Sequence, residues 1–266
     1  MKSLMKTLRL AGICAAALGL AAPAMASSGV EAPRREWSFS GLFGTFERGS
    51  LQRGWQVYRE VCSSCHSLKF IAFRDLGRIG LTPDQVAAIA GEFEVQAGPN
   101  DEGEMYKAKA VPADRIPPPF PNDAAARAAN NGALPPDLSL IAKARPFGME
   151  NLYKPTGADY LYALLTGYRD PPPEGFTVAP GMYFNEYFPG HQVAMPPPLS
   201  EGRVDYVDGT KPTVSQMSQD VVTFLVWAAE PNLEERKSLG VTVILFLIVL
   251  TAMLYATKRK IWADAH

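Results

Sequence analysis

Leu51, Trp55, Tyr58 and Cys62 recur at spacings of four, three and four, which is one apolar face of an α-helix. The spacing predicts a helix running directly into Val61-Cys62-Ser63-Ser64-Cys65-His66. Its large aromatics are placed to pack on a bound group, to fill an ordinary core, or both. Thr82-Pro83-Asp84 is a helix start, with Gln85-Val86-Ala87-Ala88-Ile89 following as a short helix. Asp159 to Tyr168 (DYLYALLTGY) predicts another, ended by Gly167 and the prolines after Asp170. The last amphipathic element begins near Thr213, where Thr213-Val214-Ser215-Gln216 reads as a capping box. Met217, Val221, Phe224, Leu225 and Ala228 then line one face as far as Glu230-Pro231. The elements predict a mostly α protein without internal repeats.

Two stretches lack this periodicity. From Asp75 to about Arg127 the chain is polar and broken, and it reads as a long surface insertion. Its acidic residues Glu92, Glu94, Asp101, Glu102 and Glu104 form either a solvated loop or a docking surface for a basic protein. Pro171 to Pro198 is a long proline- and aromatic-rich connection, in a chain with 23 prolines among 266 residues.

Both ends are apolar in a different way. Lys2, Lys6 and Arg9, then Leu8 to Ala22, then Ala24-Met25-Ala26 have the basic, apolar and small-residue order of a cleaved secretory signal. Ile13 stands where a lipoprotein signal needs a small residue, so Cys14 is expected to leave with the leader. Leu239 to Thr257 is uncharged and close to the ~20 residues that cross a bilayer. A buried core helix would also be apolar, but the Lys258-Arg259-Lys260 cluster after it favours a membrane span with its basic flank inside. Arg236 and Lys237 on the outer flank, beside Glu234 and Glu235, fit that rule less well. The expected organisation is a leader (1–26), an exported domain (27–235), and an anchor with a short cytoplasmic tail (236–266). Overall charge is −1, yet residues 27–235 hold 18 Lys+Arg and 26 Asp+Glu, a net of −8. An acidic exported head suits a basic partner, through association rate and solubility rather than fold.

With the leader removed, Cys62 and Cys65 are the remaining cysteines. Paired cysteines in an exported chain usually form a disulfide. Here His66 follows directly, and C-x-x-C-H is the attachment site of a c-type haem. Two thiols three residues apart lie on one side of a helical turn and can both bond the vinyl groups of one porphyrin, while His66 reaches the iron. A single such motif implies one haem. The sixth iron position is open to Met195 or His191, four residues apart in Gly190-His191-Gln192-Val193-Ala194-Met195-Pro196-Pro197-Pro198. A thioether ligand stabilises reduced iron, and the prolines after Met195 hold the loop extended. A gap-filling core role is the other reading of Met195. Met105, Met149, Met182 and Met217 lack this rigid setting, and His266 lies beyond the span.

Several stretches, in order, resemble the cytochrome c1 family of bacterial cytochrome bc1 complexes. They are Val57-Tyr58-Arg59-Glu60-Val61-Cys62 through His66, Arg127-Ala128-Ala129-Asn130-Asn131-Gly132-Ala133-Leu134-Pro135-Pro136-Asp137-Leu138-Ser139, Leu164-Leu165-Thr166-Gly167-Tyr168, Tyr183-Phe184-Asn185, Ala194-Met195-Pro196-Pro197-Pro198, and Phe224-Leu225-Val226-Trp227-Ala228-Ala229-Glu230-Pro231. The resemblance implies a class I cytochrome c fold with long insertions and one C-terminal transmembrane helix. It implies haem c bound through Cys62 and Cys65, with His66 and Met195 as axial ligands. Arg145 matches a position that pairs with a haem propionate, and Tyr160 and Pro136 match positions lining the pocket. The implied role is electron transfer from the Rieske iron–sulfur protein to a soluble cytochrome c, beside cytochrome b in a dimeric respiratory complex, with no independent catalytic site and no nucleic acid partner. The implied place is the bacterial inner membrane, single-pass, head on the periplasmic side. A membrane-tethered shuttle outside any such complex, and a haem enzyme or gas sensor with a labile sixth position, are the rival functions. The chain has no extra cysteine pair to brace the Met195 loop.

Overall fold

The computed structural model describes residues 30–145 and 156–263; the expected leader, Cys14, Met149 and His266 lie outside them. The mostly α expectation is borne out. The α-helices are α1 (Arg48–Val57), α2 (Pro83–Gly91), α3 (Asp123–Ala129), α4 (Thr156–Thr166), α5 (Val214–Ala229) and α6 (Leu233–Ile261). Two short antiparallel pairs accompany them: β1 (Glu94–Ala97) with β2 (Tyr106–Lys109), and β3 (Tyr183–Phe184) with β4 (Gln192–Val193).

α1 and α5 form the centre. Leu51 and Trp55 of α1, with Tyr58 just past its end, join Met217, Val221, Phe224 and Leu225 of α5 in one core, all buried. The expected face of α5 is therefore present, although Ser218, Asp220, Val222, Thr223 and Trp227 on its other sides are buried too. The helices approach at Gly54, where a Cβ would stand 2.1 Å from the Asp220 carbonyl oxygen and 2.7 Å from Phe224 Cβ. Trp55, Tyr58 and Trp227 surround the Phe224 ring at centroid distances of 5.7, 6.0 and 5.5 Å. Trp55 and Tyr58 thus belong to the core, the plainer of their two readings. At the same crossing the fully buried Asp220 carboxylate accepts from Ser50 Oγ (2.7 Å), Arg53 Nε (3.0 Å) and Nη2 (3.1 Å), and Gln216 Nε2 (3.1 Å).

Caps follow the sequence signals. Thr82 Oγ1 accepts from Gln85 N while Gln85 Oε1 accepts from Thr82 N, so both limbs of a capping box close at α2. At α5 only one limb of the expected box forms: Thr213 Oγ1 accepts from Gln216 N, while the Gln216 side chain donates to Asp220 instead. α4 begins three residues earlier than expected and ends at Thr166. Its Gly157 passes so near the Ala142 carbonyl that a Cβ would stand 1.8 Å from the oxygen.

The stretch expected at the surface splits in two. A 3-10 helix, Phe73–Ile79, buries Phe73, Leu76 and Ile79, a spacing of three that matches three residues per turn. Val86 and Ala90 of α2, with Ala110 and Ile116, join the same core. Periodicity of three over one short run is easily taken for none. The acidic part does stay outside: Asp101, Glu102 and Glu104 are exposed in the turn joining β1 to β2, organised by Asn100 Oδ1 accepting from Glu102 N and Glu104 N.

α6 runs 29 residues, long and apolar enough to cross a membrane, and its most apolar stretch is unburied by the rest of the chain. Its first turns are fastened to the head. Glu234 accepts from Phe46 N (2.7 Å) and Arg48 Nη2 (2.6 Å), Lys237 Nζ donates to the carbonyls of Phe39 (2.6 Å) and Gly44 (3.1 Å), and Arg236 pairs with Glu230. The outer-flank cations that fit poorly with an inside-positive rule are therefore occupied in joining head to helix.

Candidate functional site

α1 does not end as a regular helix. Tyr58–Cys62 widens into a π turn, closed by Ser63 N donating to the Tyr58 carbonyl at 2.8 Å. Such turns recur at functional sites because they shift side chains off the regular helical stripe. Here Tyr58 stays fully buried while Cys62 is left half-buried at the margin of the core. Cys65 N and His66 N both donate to the Cys62 carbonyl, at 3.1 and 2.9 Å, so the five residues close on themselves. Cys62 and Cys65 are not joined to each other. Burial pushes the Cys62 thiol up to about 12, with the neighbouring Cys65 adding to the shift.

His66 is held at both ends. Tyr58 Oη donates to its backbone carbonyl (3.0 Å), and its Nδ1 lies 2.8 Å from the Pro136 carbonyl oxygen. A carbonyl only accepts, so Nδ1 carries the proton and Nε2 keeps a free lone pair. Burial lowers the His66 pKa, against the opposing pull of the Pro136 carbonyl and Asp137. The ring is therefore a neutral base, the form that binds a metal. The donor set of Cys62, Cys65 and His66 Nε2 fits a covalently attached haem.

Pro136 is positioned by a residue that periodicity did not single out. Asp137 Oδ2 accepts from Ser67 Oγ (2.8 Å) and Lys69 N (2.9 Å), and Oδ1 from Ser139 N (2.9 Å). Ser139 Oγ in turn accepts from Phe70 N (3.1 Å). This knot ties the segment after His66 to the Pro135-Pro136 turn, nearly seventy residues away. Burial opposes ionisation of Asp137, but the donors on Lys69, Ser139 and Ser67 outweigh it and hold the carboxyl below its usual range. A depressed folded pKa contributes stability above the ordinary aspartate value and loses it as pH falls through the folded one. Asp137→Asn is accordingly expected to cost about 1.5 kcal/mol at neutral pH, the low end for bonds to a charged acceptor because the group is partly exposed. The difference should fade below about pH 4, as measured by denaturant midpoints at stepped pH. A cost that persists unchanged in acid would contradict the role.

The second group of residues lies around Met195, which is half-buried. Tyr168 Oη donates to the Met195 carbonyl at 3.0 Å. Tyr168 is itself placed by a backbone bridge to Asn185, and fully buried Asn185 donates from Nδ2 to the Leu164 carbonyl (2.8 Å) at the end of α4. Asn185 Oδ1 accepts from Tyr187 N (3.1 Å) and Phe188 N (3.2 Å). These bonds brace the loop where a disulfide is lacking. Tyr168 and Asn185 fall inside recognisable stretches, but their partners are 27 and 21 residues away, and no local spacing announces such contacts.

His191 is held by a carbonyl and by aromatic rings. Its Nδ1 lies 3.0 Å from the Glu186 carbonyl, and its ring stacks on Phe184 at 5.9 Å with Phe176 edge-on at 6.2 Å. Tyr160 is buried, which raises its hydroxyl pKa against the opposing positive charge of Arg145. Arg145 is exposed and donates to the neighbouring Ala144 carbonyl. Pro136 is exposed beside His66. Hydrogen bonds thus join His66 to Pro136 beside Cys62 and Cys65, and Tyr168 to Met195, while Arg145 is near enough to Tyr160 to act on its hydroxyl through charge.

The Cytochrome C1 family model matches residues 37–265. The chain is 49% identical to cytochrome c1 of Rhodospirillum rubrum over 263 residues, covering 93% of both chains. It is 50% identical to cytochrome b/c1 of Bradyrhizobium diazoefficiens over 94% of its own length, and it spans 38% of that longer relative. A mitochondrial cytochrome c1 heme protein of Solanum tuberosum is 47% identical over 236 residues, with 88% of this chain and 87% of the relative covered. The chain belongs to the cytochrome c1 family, the haem electron-transfer subunits of cytochrome bc1 complexes.

Proposed function

We propose that the chain carries one covalent haem c and relays single electrons from a Rieske iron–sulfur protein to a soluble c-type cytochrome. The observation that carries this reading is the His66 Nδ1 contact to the Pro136 carbonyl, which leaves Nε2 free to ligate immediately after two unpaired thiols. Cys62 and Cys65 would hold the haem covalently, and His66 and Met195 would ligate its iron. Arg145 pairs with a propionate, and Tyr160 and Pro136 line the pocket. The haem supplies a one-electron iron couple.

The chain's own residues do the rest. The Asp137 knot fixes the imidazole through Pro136, and Tyr168 fixes the Met195 backbone, so both side chains that would ligate the iron are held in place. A coordination shell that does not rearrange keeps the cost of changing iron charge small. With both positions filled, the chain makes and breaks no substrate bond. α6 anchors the head at the outer face of a bacterial inner membrane, on the periplasmic side, next to cytochrome b and the Rieske subunit in a dimeric complex.

Extraction in mild detergent tests this reading. Co-purification with a diheme cytochrome b and a Rieske subunit is the expected result, and isolation of the chain alone would favour a tethered shuttle. The net charge of −8 over residues 27–235 leads to a further expectation: electron transfer to a basic cytochrome c slows as salt rises. A second-order rate constant independent of ionic strength would contradict steering by the acidic head.

A further inference from the structure

Leu42 and Phe43 are 56% and 80% exposed, on a head whose neighbouring aromatics Trp37, Phe39 and Phe46 are all buried. Both sit at the tip of a closed turn. Ser40 N donates to the Trp37 carbonyl (2.9 Å), Thr45 N donates to the Ser38 carbonyl (3.0 Å), and a Cβ at Gly44 would stand 1.9 Å from the Ser40 carbonyl oxygen. The turn is tightly built, and it presents its two apolar side chains outward.

Its height relative to a bilayer follows from Lys237. The ammonium is clasped by the carbonyls of Phe39 and Gly44, one on each side of the exposed pair, while Glu234 holds Phe46 N. From Lys237 to the Lys258-Arg259-Lys260 cluster α6 continues unbroken. Those 21 residues rise about 32 Å at 1.5 Å each, close to the ~30 Å hydrocarbon core of a bilayer. Lys237 therefore marks the outer boundary of the span, and a turn wrapped around it stands at the same level. Apolar and aromatic side chains at that depth are where lipid meets headgroup.

We propose that Leu42 and Phe43 enter the outer-leaflet interface beside α6 and form a second lipid contact of the head. The inference rests on reading α6 as the membrane anchor. One helix alone leaves a head free to tilt; a second contact, rigidly clasped to the helix, fixes how the haem face is presented to partners.

The test places a nitroxide label on the full chain in phosphatidylcholine nanodiscs, through Phe43→Cys, Leu245→Cys at mid-helix, or Asp101→Cys in the exposed acidic turn. Power saturation then compares collisions with oxygen, which partitions into lipid, and with a water-soluble nickel chelate. The oxygen-to-nickel ratio at position 43 is expected to be several-fold above that at 101 and below that at 245. A ratio equal to that at 101 would put the turn in water and overturn the proposal. Shielding from both reagents would mean that protein covers the pair, and would overturn it as well. A watery value at 245 would instead refute the anchor reading on which it rests.

Discussion

Asp220→Ala is expected to destabilise the head by about 3–5 kcal/mol, because it strands the Arg53 guanidinium at the crossing of α1 and α5 without its buried partner. Asp220 is fully buried and accepts four hydrogen bonds, two of them from Arg53. Arg53 is itself largely buried, with the exposed carboxylates of Asp208 at 2.8 Å and Glu47 at 4.0 Å as further partners. Removing the exposed Asp208 should cost far less, since water can replace it. The consequence reaches function through Gly54, which sits against the Asp220 carbonyl and fixes how closely α1 lies on α5. A loosened α1 would misplace the π turn and with it Cys62. Urea midpoints of the detergent-solubilised chain measure the loss. An Asp220→Ala midpoint within error of the parent would remove this crossing from the account.

If Met195 ligates the iron as proposed, Met195→Leu is expected to open that position to external ligands. Leucine preserves the apolar bulk of the loop, and the Tyr168 bond to the backbone carbonyl is unaffected by the side chain. The loss falls on the sulfur alone. Reduced variant should bind carbon monoxide where the parent does not, its sulfur-to-iron absorption band should vanish, and its potential should fall because thioether ligation favours reduced iron. Carbon monoxide binding by the native reduced parent would favour an enzyme or sensor instead.

The elements with regular periodicity were legible in the sequence. The face of α5, both threonine caps and the apolar run of α6 follow from spacing and side-chain chemistry, and the structure places them within a few residues. The Phe73–Ile79 turn was not legible, because three buried residues at a spacing of three resemble irregular chain. The site was legible to different depths. Cys62, Cys65 and His66 stand out as candidate haem-binding residues in one pentapeptide. Asp137 carries a local hint, a carboxylate two residues before a serine after two prolines, which is an Asx-type turn. Tyr168, Asn185 and the Lys237 clasp carry none, since each depends on partners brought near only by the packed fold.

Covalent attachment of one haem through Cys62 and Cys65 underlies every role proposed for the chain. Mass spectrometry of the denatured, membrane-extracted chain tests it most directly. The expected mass is that of a chain beginning at Ser27 plus one haem, with that addition lost in the Cys62→Ala, Cys65→Ala double variant. A parent mass equal to the bare chain, or to the chain less two hydrogens as a Cys62–Cys65 disulfide requires, would contradict it.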